Sequence, residues 1–237
     1  MFEYENNYWW YKGLHELVIY FVQKYSNSDF SKNILDAGCG TGKMLELLSD
    51  YNFCEGFDLS EDAIKFSKSR NLKNVFLHDL NKWKSESNIY DFIISLDVIC
   101  CKGIINENDI LNTFYTSLKT GGKLILNLPA LDILSRNHDI AVYIAKRYKR
   151  KTFVEQLTKL GFKINLATYR QPILFFIILI LKIFEKKAND STAISDLKPI
   201  PKYVNKLFLL NIRFENFFIR KGFRFPFGSS LFIVAEK

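Results

Sequence analysis

The 237 residues are 48% hydrophobic, enough for one sizeable α/β domain with its own core plus an insertion or cap. Met1-Phe2-Glu3-Tyr4-Glu5-Asn6-Asn7 is acidic and polar, without the basic flank and apolar stretch of a secretory signal, so export is not expected. The four cysteines, Cys39, Cys54, Cys100 and Cys101, form neither a C-x-x-C pair nor a cluster with histidine at metal-ligand spacing, so no metal is expected and a reduced, cytoplasmic setting fits.

The net charge of +8 is unevenly spread. Residues 1–139 hold 14 Lys/Arg against 19 Asp/Glu, a balance of −5, whereas residues 140–237 hold 19 against 6, a balance of +13. Such asymmetry points to an anionic partner for the second part: a membrane surface, a phosphate-bearing substrate or nucleic acid. A merely solvated basic face is the competing explanation.

Tyr8 to Tyr25 reads as an opening helix, because Trp9, Leu14, Leu17, Val18 and Phe21 recur near helical spacing. Asn33 to Ala37 then reads as a short strand, Gly42 to Tyr51 as a helix and Glu55 to Leu59 as a second strand. Ser60, followed by Glu61 and Asp62, caps the next helix. Val75 to Leu77 and Tyr90 to Val98 are further strands, the latter apolar enough to be central. A helix near Asp109 to Leu118, a turn at Gly121-Gly122 and a strand from Lys123 to Leu128 follow. Thr152 to Leu160 is a helix stopped by Gly161, and Phe162 to Tyr169 a strand. This alternation predicts a Rossmann-like, doubly wound, mostly parallel α/β sheet of seven strands.

The pattern changes at Pro172 to Phe184, a run apolar except for Lys182. Its 13 residues fall short of the roughly 20 needed to cross a bilayer. A polar linker, Ala188 to Pro201, precedes a helix from Lys202 to Lys221 that mixes Leu and Phe with Lys and Arg, and Leu231 to Ala235 is the last strand. The boundaries are therefore an N-terminal helical lid (1–32), a core (33–171), a helical insertion (172–229) and the closing strand of the sheet (230–237).

The chemistry-bearing signal is Leu35-Asp36-Ala37-Gly38-Cys39-Gly40-Thr41-Gly42, directly after the first strand. Glycines at alternate positions let the backbone turn sharply and approach a ligand, with free amides at the following helix N-terminus. A dinucleotide fold would prefer glycine at position 43, which is Lys. Asp58, about twenty residues on at the end of the second strand, can accept both hydroxyls of a ribose.

At these residues the sequence resembles the class I S-adenosylmethionine-dependent methyltransferases, over nearly the whole chain. His78-Asp79-Leu80, Tyr90-Asp91-Phe92-Ile93-Ile94-Ser95 and Leu118 to Leu124 match further motifs of that family in order. The resemblance implies S-adenosyl-L-methionine as cofactor, held by Asp36, Gly38, Cys39, Gly40, Gly42, Asp58, Leu59, Asp79, Leu80 and Ser95. The aromatic opening and the Leu128-Pro129-Ala130 turn followed by His138-Asp139 resemble a bacterial, type 11/12-like subgroup. There the opening helix closes over the cofactor, so Trp9, Trp10, Tyr11 and His15 are lid or acceptor residues. The stretch from Ile140 to Lys151 departs from the subgroup's glycine and arginine pattern.

His138 is the candidate base, since it follows the fifth strand at the carboxyl edge where open α/β sheets place ligands, with Asp139 orienting it or touching substrate and His15 as runner-up. The reaction implied is O-methylation of a saccharide, lipid-linked or free, or of another small metabolite. Nucleic-acid methylation and a non-catalytic cofactor-binding partner are the alternatives; against the former, Ser95-Leu96-Asp97-Val98 lacks a Pro-Pro-aromatic signature. Residues 172–221 could lie on the inner face of a membrane, cap the sheet or form a dimer contact. Oligomeric state is not legible.

Overall fold

The computed structural model describes residues 2–26, 31–49, 53–185 and 199–237. Two N-terminal helices, α1 (Phe2–Glu5) and α2 (Trp9–Tyr25), precede the alternating units β1 (Asn33–Ala37), α3 (Lys43–Leu48), β2 (Phe53–Asp58), α4 (Glu61–Ser69), β3 (Val75–Leu77) and β4 (Tyr90–Leu96). The chain continues through α5 (Glu107–Ser117), β5 (Leu118–Pro129), α6 (Asn137–Ala141), α7 (Arg150–Lys159), β6 (Lys163–Arg170), α8 (Pro172–Phe184), α9 (Lys202–Arg220) and β7 (Ser230–Glu236).

The seven strands lie in the order β3-β2-β1-β4-β5-β7-β6, and only β7 runs antiparallel to its neighbours. Side chains alternate between faces along each strand, and both faces are covered. Leu35, Ile93, Leu124 and Leu126 belong to one core cluster, with Leu111 and Phe114 of α5 and Phe153 and Leu157 of α7. Ile34, Phe92, Ile94 and Ile125 belong to the other, with Leu14, Leu17, Val18 and Phe21 of α2 and Ile219 of α9. This double burial explains why the central strands read as continuous apolar runs.

Local signals act as their chemistry dictates. Ser60 Oγ accepts from Ala63 N at 3.2 Å and so caps α4, and Gly161 follows α7 at φ 101°. The expected turn at Gly121-Gly122 is a correction: β5 already begins at Leu118 and includes both glycines, because Tyr90 pairs with Leu118 before a register shift. The helix expected to reach Tyr51 ends at Leu48, and residues 50–52 lie outside those described. The linker expected over Ala188 to Pro201 likewise falls outside the described residues as far as 198. Among the described residues no helix is long and apolar enough to cross a membrane.

From β1 the chain winds outward to β2 and β3, then crosses to β4 on the other side of β1. The carboxyl ends of β1 and β4 therefore diverge, and this switch point is where open α/β sheets receive ligands.

Candidate active site

The loop after β1 occupies that switch point. Gly38, Gly40 and Gly42 adopt φ of 88°, 54° and 81°. Gly38 is fixed by contact as well as conformation, since a Cβ there would come within 2.3 Å of Val98 Cγ2. Gly38 N and Cys39 N both donate to Phe57 O at 2.9 Å, and Gly40 N donates to Asp58 Oδ2 at 2.9 Å. Asp58 Oδ1 accepts from Ser60 N at 2.9 Å, so the carboxylate at the tip of β2 braces the glycine turn against the start of α4.

Asp36 is buried beneath this turn. Burial pushes its carboxyl up to about 8, and the negative charges of Asp58 and Glu5 push in the same direction. Leu59 stands 71% exposed beside Asp58, whereas Leu80 is buried in the core. Asp79 Oδ1 accepts from Asn81 N and Nδ2, both at 2.9 Å; the backbone bond foremost holds its carboxyl below the ordinary range.

The N-terminal helices cover the loop. Buried Glu5 accepts a hydrogen bond from Thr41 Oγ1 and lies 3.4 Å from Arg70 Nη2. Arg70 Nε donates to Thr41 O at 2.8 Å and Nη1 to Glu46 Oε2 at 2.8 Å, while the guanidinium rests over the Phe2 ring at 4.5 Å. Trp9 stacks on Phe208 at 4.9 Å, and Trp10 meets Tyr11 edge-on at 4.9 Å. Burial, then the charges of Glu5 and Asp97, push the Tyr11 hydroxyl well above its usual range.

Three further expected site residues have well-defined surroundings. His15 is buried, and burial, Lys43 and Arg70 together push it down to about 4, making it a feeble proton acceptor. Asp139 is buried and gives both oxygens to Arg147, at 2.7 and 2.6 Å, which also binds Ala130 O. Ser95 has no exposed surface and donates from Oγ to Ala37 O at 2.9 Å, which ties β4 to β1. His138 sits half-buried on α6, beyond the end of β5.

Asp97 is the carboxylate that the sequence reading passed over. It leaves β4 at φ 58°, next to the Val98 that packs on Gly38, and accepts from Asn127 Nδ2 at 2.8 Å. Burial pushes it up to about 7, against the opposing pull of the Asn127 hydrogen bond, Arg170 and Arg147. A carboxyl poised there, beside the glycine turn, can take a proton from a bound hydroxyl.

A family model described as a methyltransferase domain matches residues 11–166. The chain belongs to the methyltransferase-domain family. Its members include class I S-adenosylmethionine-dependent enzymes, and the seven-stranded mixed sheet is that fold. A curated relative, the ubiquinone biosynthesis O-methyltransferase of Idiomarina loihiensis, is 25% identical over 132 residues, 50% of this chain and 54% of its own length; the chain thus spans about half of that relative. Among solved structures, an S-adenosylmethionine-dependent methyltransferase from Archaeoglobus fulgidus matches with a TM-score of 0.58 at 21% identity, over 94% of each chain. Phosphoethanolamine N-methyltransferase 2 of Haemonchus contortus, in complex with S-adenosyl-L-methionine, matches with a TM-score of 0.58 at 18% identity, over 92% of this chain and 51% of its own. At these identities the structural likenesses establish the fold of this methyltransferase-domain chain.

Proposed function

We propose that this methyltransferase moves the methyl group of S-adenosyl-L-methionine to a hydroxyl oxygen of a small acceptor, a saccharide in free or lipid-linked form or another metabolite. One observation carries the reading: an acid-lined glycine turn packs directly against the residue following Asp97. The charges acting on buried Asp36, those of Asp58 and Glu5, are both negative, which suits a donor bearing an ammonium and a sulfonium. Asp36 and the turn would hold the methionyl end, Asp58 the ribose, and Leu59, Asp79 and Leu80 the adenine side.

When bound, the donor supplies an electrophilic methyl whose departure removes the sulfonium charge. The chain's task is then alignment, exclusion of water and removal of one proton. Asp97 takes that proton from the acceptor hydroxyl in our reading, with Tyr11 and the α1–α2 lid closing the site. His138 is the rival base. Support for oxygen as the acceptor atom comes from the O-methyltransferase relative.

Calorimetry with S-adenosylhomocysteine and a donor-consumption assay over saccharide and phenolic acceptors test this. Folded protein without affinity for that product would end the donor assignment, and turnover confined to amine acceptors would end the oxygen assignment.

A further inference from the structure

The outward face of α9 is apolar where a surface helix is ordinarily polar. Tyr203, Leu207, Leu210, Phe214 and Phe217 recur every three or four residues and are each 54–77% exposed. The opposite face carries buried Ile212, Asn216 and Ile219, and Asn216 Nδ2 donates to Gly13 O of α2 at 2.8 Å. The exposed stripe is therefore surplus to the packing of the domain. Helix α8 repeats the pattern: none of its thirteen residues is buried, and Ile173, Phe176, Ile180, Ile183 and Phe184 are 51–80% exposed. Scattered apolar residues on a surface need no explanation, but two continuous stripes do.

Charge selects the occupant. Residues 202–224 contain six cations, Lys202, Lys206, Arg213, Arg220, Lys221 and Arg224, against a single acid, Glu215. Glu215 is buried and accepts from Gln171 N at 2.8 Å, so it points away from the stripe. Arg213 turns toward Glu16 of α2, while Lys202, Lys206, Lys221 and Arg224 are exposed. A two-fold contact through α9 would set those lysines against their own copies.

We propose that α8 and α9 seat the protein on an anionic phospholipid surface, with Phe, Leu and Ile entering the boundary between headgroups and acyl chains and lysines meeting phosphates. The thirteen residues of α8 reach about 20 Å at 1.5 Å per residue, less than a hydrocarbon core of about 30 Å, and the longer α9 is too charged to cross, so the helices lie on the bilayer. Docking brings the site to the membrane, because α8 starts at the carboxyl end of β6, the edge that also carries the glycine turn.

The test is co-sedimentation of the full chain with vesicles of phosphatidylcholine alone or mixed with phosphatidylglycerol, at low and high salt. The wild type is expected to bind the mixed vesicles and to release them as salt rises. Leu210→Glu/Phe214→Glu and Lys202→Glu/Lys206→Glu, all at exposed positions, should each weaken binding at least tenfold while thermal midpoint and S-adenosylhomocysteine affinity in solution stay as in the wild type. Failure to bind mixed vesicles, equal binding to phosphatidylcholine alone, or variants that bind like the wild type would overturn the proposal. So would sedimentation velocity showing a wild-type dimer that Leu210→Glu/Phe214→Glu dissociates, since a second copy would then be the occupant.

Discussion

Asn127 donates from Nδ2 to Asp97 Oδ2 at 2.8 Å, while its own Oδ1 accepts from Arg170 Nη1 at 3.2 Å. The carboxylate at the end of β4 is thus coupled through one amide to a guanidinium that has no exposed surface. The hydrogen bond and the two nearby arginines favour the charged carboxylate and burial the neutral acid, and the balance leaves Asp97 near 7.

Turnover should therefore rise with pH through about 7 as Asp97 loses its proton. Asp97→Asn should remove that limb and lower kcat by about a hundredfold or more, the usual worth of a general base, with S-adenosylhomocysteine affinity little changed. His138→Ala should retain most activity. A pH profile that survives Asp97→Asn and disappears in His138→Ala would reverse the two assignments.

Asn127→Leu should shift the same limb to higher pH, because a bond that favours the ionised form is lost. Rate profiles at saturating acceptor measure this; a simple structural role would lower activity without moving the limb.

Gly38→Ala meets both a φ of 88° and Val98 at 2.3 Å. Strain of about 1–3 kcal/mol, concentrated where the donor must fit, should reduce calorimetric affinity for S-adenosylhomocysteine at least tenfold. Gly121→Ala is the control: its φ is 80°, yet nothing lies within 4 Å of the added carbon, so it should cost stability and spare binding.

Asp36 makes the empty protein sensitive to alkali. Its folded pKa of about 8 lies above the ordinary aspartate value of 3.8, so the folded state binds the extra proton and this contribution to stability fades as pH rises toward 8. In Asp36→Asn the loss should vanish. Melting curves at pH 5.5 and 8 should show the variant gaining on the wild type by roughly 6–12 °C, the shift that about 3 kcal/mol produces in a domain of this size. A constant difference between the two pH values would refute the assignment.

Arg70→Ala should be the costliest change at the lid, at about 3 kcal/mol by denaturant titration, since it strands buried Glu5. Glu5→Gln, which keeps the hydrogen bond from Thr41, should cost less.

The strand and helix order, the glycine turn, the Ser60 cap and the limits of α8 were legible because each depends on neighbours a few residues apart. The ionic and polar couplings were not. Arg70 and Glu5 are 65 residues apart, Asp97 and Asn127 30, Arg170 and Asn127 43, and no periodicity announces such pairs. Nor did residue type announce the partners at the carboxyl edge. Ser95 and Asp139 have the chemistry of ligand contacts, and the structure pairs the first with Ala37 O on the neighbouring strand and the second with Arg147. Asp97 lay in a segment that read as plain strand, where no local signal marked its burial or Asn127 beside it.

The seam between α2 and α9 joins opposite ends of the sequence. A Cβ on Gly13 would come within 2.1 Å of Ile212, Trp9 N donates to Asn205 Oδ1 at 2.9 Å, and Arg213 grips Glu16. Transplanting the α8–α9 segment into a related enzyme should consequently succeed only when α2 travels with it, so the two would be inherited, exchanged and engineered as one cassette.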